Sequence, residues 1–554
     1  MVLLFFFSIF VATMRKKAVS IISYCILCIG LIGVLARFFG AYYFHNDGYI
    51  SLFEDDFYYY VITAKNFALT GHSSFDTFTT TNGYHPLWFL ILSGIIYVFQ
   101  GVGNSFFISI ALIACISSVC SFQLLRKIGN KISNDSYYIP LFSALIILSI
   151  NRMNTTGMEV ILAVPFALLW GYFLLLHPLI SEWNNKISLQ FGLLSSVLLL
   201  SRLDTAWLLF GAVIVFIIQS IQNKTLSWRI ILWVIVGLTP LWIYFVVNVS
   251  VFDSVFPVSG MAKSLSKPGF IFEVAPLEYL LFKNEGISSK LSALFIISGL
   301  ILWFVRYKKQ LPEYRWVVGI FILFPCIFLL WNGFRSPWVS LWWWYQYPNY
   351  LGAFFALCLF STIKFSKLTT FREHYSKLLF ICISGFGVLY TAYSAYNYNK
   401  DVYIYSTQQL AEVQRTSIYN EAKRINNFID SKGINGRFAM GDRAGITAYL
   451  IQQPVLQVEG LVADKGVVLS IKNEENLNTV LQKHSIDYYI VSIGNRLQLN
   501  ENGAYIAYEP HVELAGKLSK KMQGAFANPI YTNAVGTSPK DSLFTYIFDL
   551  RASK

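Results

Sequence analysis

The residues best able to do chemistry stand together early in the chain, where Glu54-Asp55-Asp56 runs into Phe57-Tyr58-Tyr59-Tyr60. A carboxylate beside a hydroxyl can take its proton while the oxygen attacks, and one such base is enough when the leaving group is a phosphate. Neighbouring rings such as Tyr59 supply flat faces on which a sugar can stack. The same trio also fits a solvated acidic cap on an interfacial helix.

Other groups of the right type follow along the chain. Asn82 and His85, in Thr81-Asn82-Gly83-Tyr84-His85-Pro86-Leu87-Trp88, suit sugar hydroxyls or the orientation of a carboxylate. Pro86 fits a first helical turn, and Tyr84 and Trp88 serve equally well as membrane-interface anchors. Glu159 opens an apolar stretch, where a carboxylate also suits a helix dipole. Arg202 and Asp204, two positions apart, do not face each other on a regular helix, so a pair carried by a turn is expected, lining a cavity or locking two short helices. Lys263 and Arg335 are cations able to hold a phosphate, Arg bidentately and Lys as a point charge, or to snorkel to lipid headgroups. Tyr345 lies among Trp338, Trp342, Trp343, Trp344 and Tyr347, a density suited to sugar stacking or to an aromatic belt. Gly441-Asp442-Arg443-Ala444-Gly445 resembles a phosphate-cradling turn, but five residues with two glycines make a weak signal, and a structural or acceptor-binding role is expected.

The elements that must position these groups are membrane helices. The chain of 554 residues is 55% hydrophobic and only 13% charged, with a mean hydropathy of +0.52, whereas soluble domains carry roughly 25% charged residues. Apolar stretches from Ala18 to about Tyr396 predict roughly eleven crossings. The net charge of +13 sits mostly in short loops, the positive-inside pattern, which argues against nucleic acid as its cause. All seven cysteines lie in or beside apolar segments, implying neither a disulfide framework nor a metal site.

Arg15, Lys16 and Lys17 place the first helix start in the cytoplasm, so the acidic loop from Ala41 to His85 faces outward. Basic loops at Lys224 to Arg229, Arg306 to Arg315 and Lys364 to Lys377 continue the alternation, leaving the loops with Glu159, Arg202, Lys263 and Arg335 outside. Residues 86–131 resist it: Arg126, Lys127 and Lys131 follow two apolar runs, so either Pro86 to Phe99 is re-entrant or the rule fails there. The run from Ile187 to Ser220 is too long for one crossing and reads as two helices meeting at an external turn. Met14 is a candidate true start, with residues 1–13 an extension, residues 14–398 the membrane domain and residues 399–554 an extracytoplasmic α/β domain. In that tail, a helix is predicted over Ser406 to Lys432 and strands near Arg437 to Met440 and Asp487 to Ser492.

The ordered set Asp55-Asp56-Phe57-Tyr58-Tyr59-Tyr60, Asn82-Gly83-Tyr84-His85-Pro86-Leu87-Trp88, Gly157-Met158-Glu159 and Arg202-Leu203-Asp204, with Gly441 to Gly445 and Glu459-Gly460-Leu461-Val462 in the tail, resembles bacterial members of the GT-C glycosyltransferase superfamily. These include protein mannosyltransferases, the lipid A aminoarabinose transferase and cell-wall arabinofuranosyltransferases. The resemblance implies a polyprenyl-phosphate sugar donor, a glycan, lipid or protein acceptor, inverting transfer at the outer face of the bacterial inner membrane, and an acidic base in the first external loop. Asp55 is the expected base. Asp56 is then left to position the acceptor or a divalent cation, the one cofactor the resemblance allows. Phe57 replaces the usual aliphatic spacer and Glu54 adds a third carboxylate, so the assignment between Asp55 and Asp56 stays open.

A transporter or polysaccharide flippase is the main alternative, and a non-catalytic envelope scaffold a second. Transporters usually place polar groups at the bilayer midplane on broken helices in repeated halves. The charges here cluster in loops, and no repeat is visible.

Overall fold

The computed structural model describes residues 16–44, 50–133, 139–223, 227–265, 296–304, 314–335, 343–362, 414–511, 520–535 and 543–551. The extension 1–13, the boundary at residues 398 and 399, Trp338 and Trp342 lie outside them.

Three helices are long and apolar enough to cross a membrane: Val19–Phe39, Asn104–Ser133 and Leu203–Asn223. The pair Trp228–Gly237 and Thr239–Phe252, bent by 57°, passes the same test as one broken span. Shorter apolar helices include Pro86–Phe99, Ile139–Asn151, Val160–Leu176 and Arg315–Trp331. The chain is therefore a multi-pass membrane protein, although length alone does not yield eleven crossings among the described residues. Ile108, Leu112 and Ile116 are exposed one turn apart on a single helix, while Phe106, Ile110 and Ala114 on its other side are buried. Such a stripe is at home in lipid, not in water. Pro86–Phe99 has 14 residues, about 21 Å of helix against a hydrocarbon core of ~30 Å. That short length accompanies the stretch where the charge rule gave two answers.

The helix Asn185–Ser201 stops at Arg202, whose backbone is extended (φ −161°, ψ 117°). The turn Leu203–Thr205 then starts the helix Ala206–Asn223, so the long apolar run is two helices with the polar pair at the break, as predicted.

Between the first membrane helix and Pro86 lies the acidic helix Asp55–Thr70, with Glu54 extended at its cap, Asp55 and Asp56 in its first turn and left-handed Gly71 at its end. Carboxylates at this end face the positive pole of the helix dipole.

The tail is an α/β unit. The helix Gln414–Lys432 precedes β1 (Phe438–Met440), and the helix Ala444–Ile451 carries the chain to β2 (Val455–Gln457), which pairs parallel with β1. β3 (Tyr488–Ile493) lies parallel to β1 on its other side. β8 (Leu543–Asp549) and β7 (Tyr531–Val535) complete the sheet antiparallel, in the order β2-β1-β3-β8-β7. β4 (Gln498–Leu499), β5 (Tyr505–Glu509) and β6 (Met522–Phe526) form a second, antiparallel sheet. β1 and β3 are buried almost throughout, as expected of strands covered on both faces.

The tail rests on the acidic helix. Tyr449 packs on Tyr58 with ring centroids 4.9 Å apart, and Ile446 is buried within the membrane domain's apolar core.

Candidate active site

Asp56, Tyr59, Tyr60, His85, Glu159, Lys263, Trp344 and Tyr345 line one cleft, roofed from the tail by Leu461 and Val462. Its volume is about 70 Å³, room for about five waters at 10–15 Å³ each.

Two close approaches build the roof. A Cβ on Gly83 would lie 1.9 Å from the Leu461 carbonyl oxygen, and one on Gly445 would lie 2.3 Å from that of Asp55. Any side chain at either position would push the tail away from the acidic helix.

Asp55 and Asp56 are adjacent but differently used. Asp55 accepts hydrogen bonds from the backbone N–H of Ile446 (2.7 Å) and of Gly445 (3.3 Å). These are amides of the first turn of the tail helix, a natural anion seat. Burial raises the Asp55 pKa to about 6 against the pull of those amides, with the Asp442 charge adding to the rise. Asp55 is not among the cleft-lining residues, whereas Asp56 is. Burial raises Asp56 to about 7, opposed by Lys263 and reinforced by Asp55, Asp442 and Glu54. Glu54 caps the helix behind them without facing the cleft. A base poised near neutrality suits proton abstraction at physiological pH.

Lys263, on the short helix Val258–Ser264, donates to the Tyr345 hydroxyl (3.1 Å). Burial disfavours its ammonium, but Tyr345, Asp56 and Glu159 together outweigh that and raise its pKa. Asn82 sets this helix in place: its Oδ1 accepts from the Val258 N–H (2.9 Å) and its Nδ2 donates to the Phe256 carbonyl (3.4 Å). The residue expected to touch sugar hydroxyls is thus buried, with both ends of its amide committed to backbone.

Behind the cleft runs a buried ionic network. Arg202 donates to Glu159 (2.6 Å) and to both oxygens of Asp204 (2.8–3.0 Å), and Tyr347 also donates to Asp204 (2.8 Å). The Arg202 guanidinium lies over the Tyr345 ring at 4.7 Å. Both Arg202 and Asp204 stand outside the lining; they hold Glu159 and Tyr345 in it.

Glu159 caps the helix Val160–Leu176 by position, but its side chain turns to Arg202 and to the Tyr60 hydroxyl (3.0 Å). His85 Nδ1 accepts the Leu203 N–H at 3.4 Å, which leaves the ring proton on Nε2, 3.6 Å from Glu159. Burial lowers the His85 pKa, so the ring is neutral at pH 7. Among the described residues the cleft therefore combines two carboxylates, Asp56 and the Arg202-paired Glu159, with one cation and a neutral imidazole.

Six of the residues singled out in the sequence line the cleft, namely Asp56, Tyr59, His85, Glu159, Lys263 and Tyr345. Arg335 ends the helix Arg315–Arg335, and its side chain lies outside the described residues. Trp344 and Tyr347 are buried, so the belt reading fails for these two rings. Tyr60, Tyr347 and the turn from Gly441 to Gly445 are all named from the sequence, but their partners are not: Glu159 for Tyr60, Asp204 for Tyr347 and Asp55 for the Gly445 amide. The divalent cation allowed at Asp56 finds no fitting set, since no three His, Cys, Asp or Glu residues among those described are arranged to hold a metal.

No family model matches the chain, and no curated protein does. Among solved structures, ArnT of Cupriavidus metallidurans bound to undecaprenyl phosphate is similar with a TM-score of 0.51 and 11% identity, over 95% of this chain and 98% of that one. Its apo form gives 0.51 at 10% identity, over 94% and 97%. The Archaeoglobus fulgidus oligosaccharyltransferase AglB, in complex with an inhibitory peptide and a dolichol-phosphate, gives 0.48 at 12% identity, over 85% and 69%.

Proposed function

From a chain with the fold of the GT-C glycosyltransferase superfamily, we propose an enzyme that moves a hexose or pentose from a polyprenyl-phosphate carrier to a hydroxyl of an envelope glycan, lipid or protein. The observation that carries this reading is the pairing of Asp56 and Lys263 across one cleft roofed by the tail. An acidic base and a buried cation are what such a transfer requires: one takes the proton from the attacking hydroxyl, the other balances charge on the departing phosphate. A lipid phosphate as donor also accords with the undecaprenyl phosphate bound in ArnT.

In this reaction Asp56 accepts the acceptor's proton as its oxygen bonds to the anomeric carbon. The bond from that carbon to the phosphate oxygen breaks, and its electron pair leaves on the lipid phosphate beside Lys263. A single displacement inverts the anomeric centre. Assigning the base to Asp56 leaves Asp55 a positioning residue, held by the tail helix. The cleft and tail lie on the outer side of the inner membrane, where the positive-inside charge of the loops puts them.

The test is mass analysis of envelope glycans in a deletion strain. A residue of defined mass should be missing and restored by the wild-type chain. Asp56→Asn, at normal membrane yield, should restore about 10²- to 10⁴-fold less transfer. Full restoration by Asp56→Asn would falsify the assignment, and an unchanged glycan in the deletion strain would favour a transporter or scaffold.

A further inference from the structure

The tail holds a second and larger cavity that the proposed reaction does not use. It measures about 570 Å³, against about 70 Å³ for the cleft, within the 300–1,000 Å³ typical of ligand pockets. The end of β3, the connection into β4, strand β5 with His511 beyond it, and Lys521 just before β6 line it. Along β5 the side chains alternate: Ala507 and Glu509 are buried, while Ile506 and Tyr508 face the cavity.

Its polar lining has one sign. Arg496, Lys521, His511, Tyr508, Asn495 and Gln498 contribute, and among the described residues no Asp or Glu does. Lys521 Nζ stands 4.4 Å from the centre of the Tyr508 ring, which leaves a cation and an aromatic face side by side. His511 is only 6% exposed. Its Nδ1 lies 3.2 Å from the Tyr508 carbonyl oxygen, which can only accept, so Nδ1 carries the proton. Nε2, the other ring nitrogen, is buried and has no hydrogen-bond partner among the described residues. A buried polar atom in this state calls for a partner such as a ligand hydroxyl, which can both donate and accept.

We propose that this pocket binds an anionic sugar unit, with ring hydroxyls on His511 Nε2, Asn495 and Gln498, the ring face on Tyr508, and the acid group between Arg496 and Lys521. That this sugar belongs to the acceptor glycan rests on the transferase reading; the binding itself does not.

Binding is measured on the full chain in lipid nanodiscs by calorimetry, with galacturonic acid, galactose and inorganic phosphate as probes. Galacturonic acid should bind about tenfold more tightly than galactose, and the double variant Arg496→Ala, Lys521→Ala should lose that preference. His511→Ala should weaken galacturonic acid severalfold and leave phosphate unchanged. Asp56→Asn should leave all three affinities as they are while abolishing transfer, so the two proposals fail separately. Equal binding of galactose and galacturonic acid overturns the proposal, as does binding of phosphate as tight as that of the acid sugar, or an unaltered preference in a double variant of normal melting temperature.

Discussion

Asp55, at the start of the acidic helix, accepts the Ile446 backbone N–H at 2.7 Å across 391 positions of sequence. The contact seats the tail's helix on the element that carries Asp56. It also gives Asp55 a job that a base cannot share, because each of its two oxygens is engaged by a tail amide and is poorly placed to receive a proton from substrate. Replacing Asp55 with Ala removes charge-assisted bonds worth about 1.5–3 kcal/mol. The expected outcome is faster proteolysis between membrane domain and tail, with transfer reduced; Asp55→Asn, which keeps an acceptor oxygen, should do less of both. Limited proteolysis in nanodiscs decides it, and equal cleavage of wild type and Asp55→Ala would show that the clamp contributes nothing.

The pH dependence of transfer should follow Asp56. With a pKa raised to about 7 by burial, the base is protonated and idle on the acid side, so the rate should rise with pH through about 7 and level off above it. Lys263 lowers this pKa and Asp442 raises it. Asp442→Asn should therefore move the midpoint down and Lys263→Met should move it up, each by about one pH unit. Initial rates across pH 5 to 9 test both signs at once.

Stability should run the opposite way. Asp55 and Asp56 have folded pKa values above the ordinary 3.8, at about 6 and about 7, so the folded state holds more protons than the unfolded one between those limits. Their contribution is greatest below pH 3.8 and is lost as pH climbs through 6 and 7. The melting temperature should fall between pH 5 and 8, with a shallower slope in Asp56→Asn. A slope unchanged by that substitution would remove Asp56 from the account.

The groups legible in the sequence were those whose signal is local. Glu159 at a helix start and the break at Arg202-Asp204 are written in short windows, and the structure has them so; Asp55 and Asp56, read as part of an outward loop with a helix cap as the alternative, stand in a helix's first turn. Lys263 was legible as a cation in a loop, yet its partner Tyr345 is 82 positions away. Asn82 misled because a polar side chain near an aromatic motif reads as a ligand contact, when its work is to hold the backbone at Phe256 and Val258. The tail's seat on Asp55 depends on Gly445 approaching across some 390 positions, and no local pattern encodes a partner that distant.

Arg202 offers the most severe test of the network behind the cleft. It is 1% exposed and is the counter-ion of both Glu159 and Asp204. Arg202→Met keeps the volume but leaves Glu159 buried at the cleft without its cation, a loss of about 3–5 kcal/mol. The single variant should be recovered from membranes in low, aggregated yield. If stranded charge is the cause and not lost packing, removing the charges should rescue it: the triple variant Arg202→Met, Glu159→Gln, Asp204→Asn should regain a monodisperse peak and much of the wild-type melting temperature. Transfer should not return with it, because Glu159 also orients His85 and Tyr60 at the cleft. A triple variant as unstable as the single one would assign Arg202 to packing against Tyr345 and Tyr347 instead.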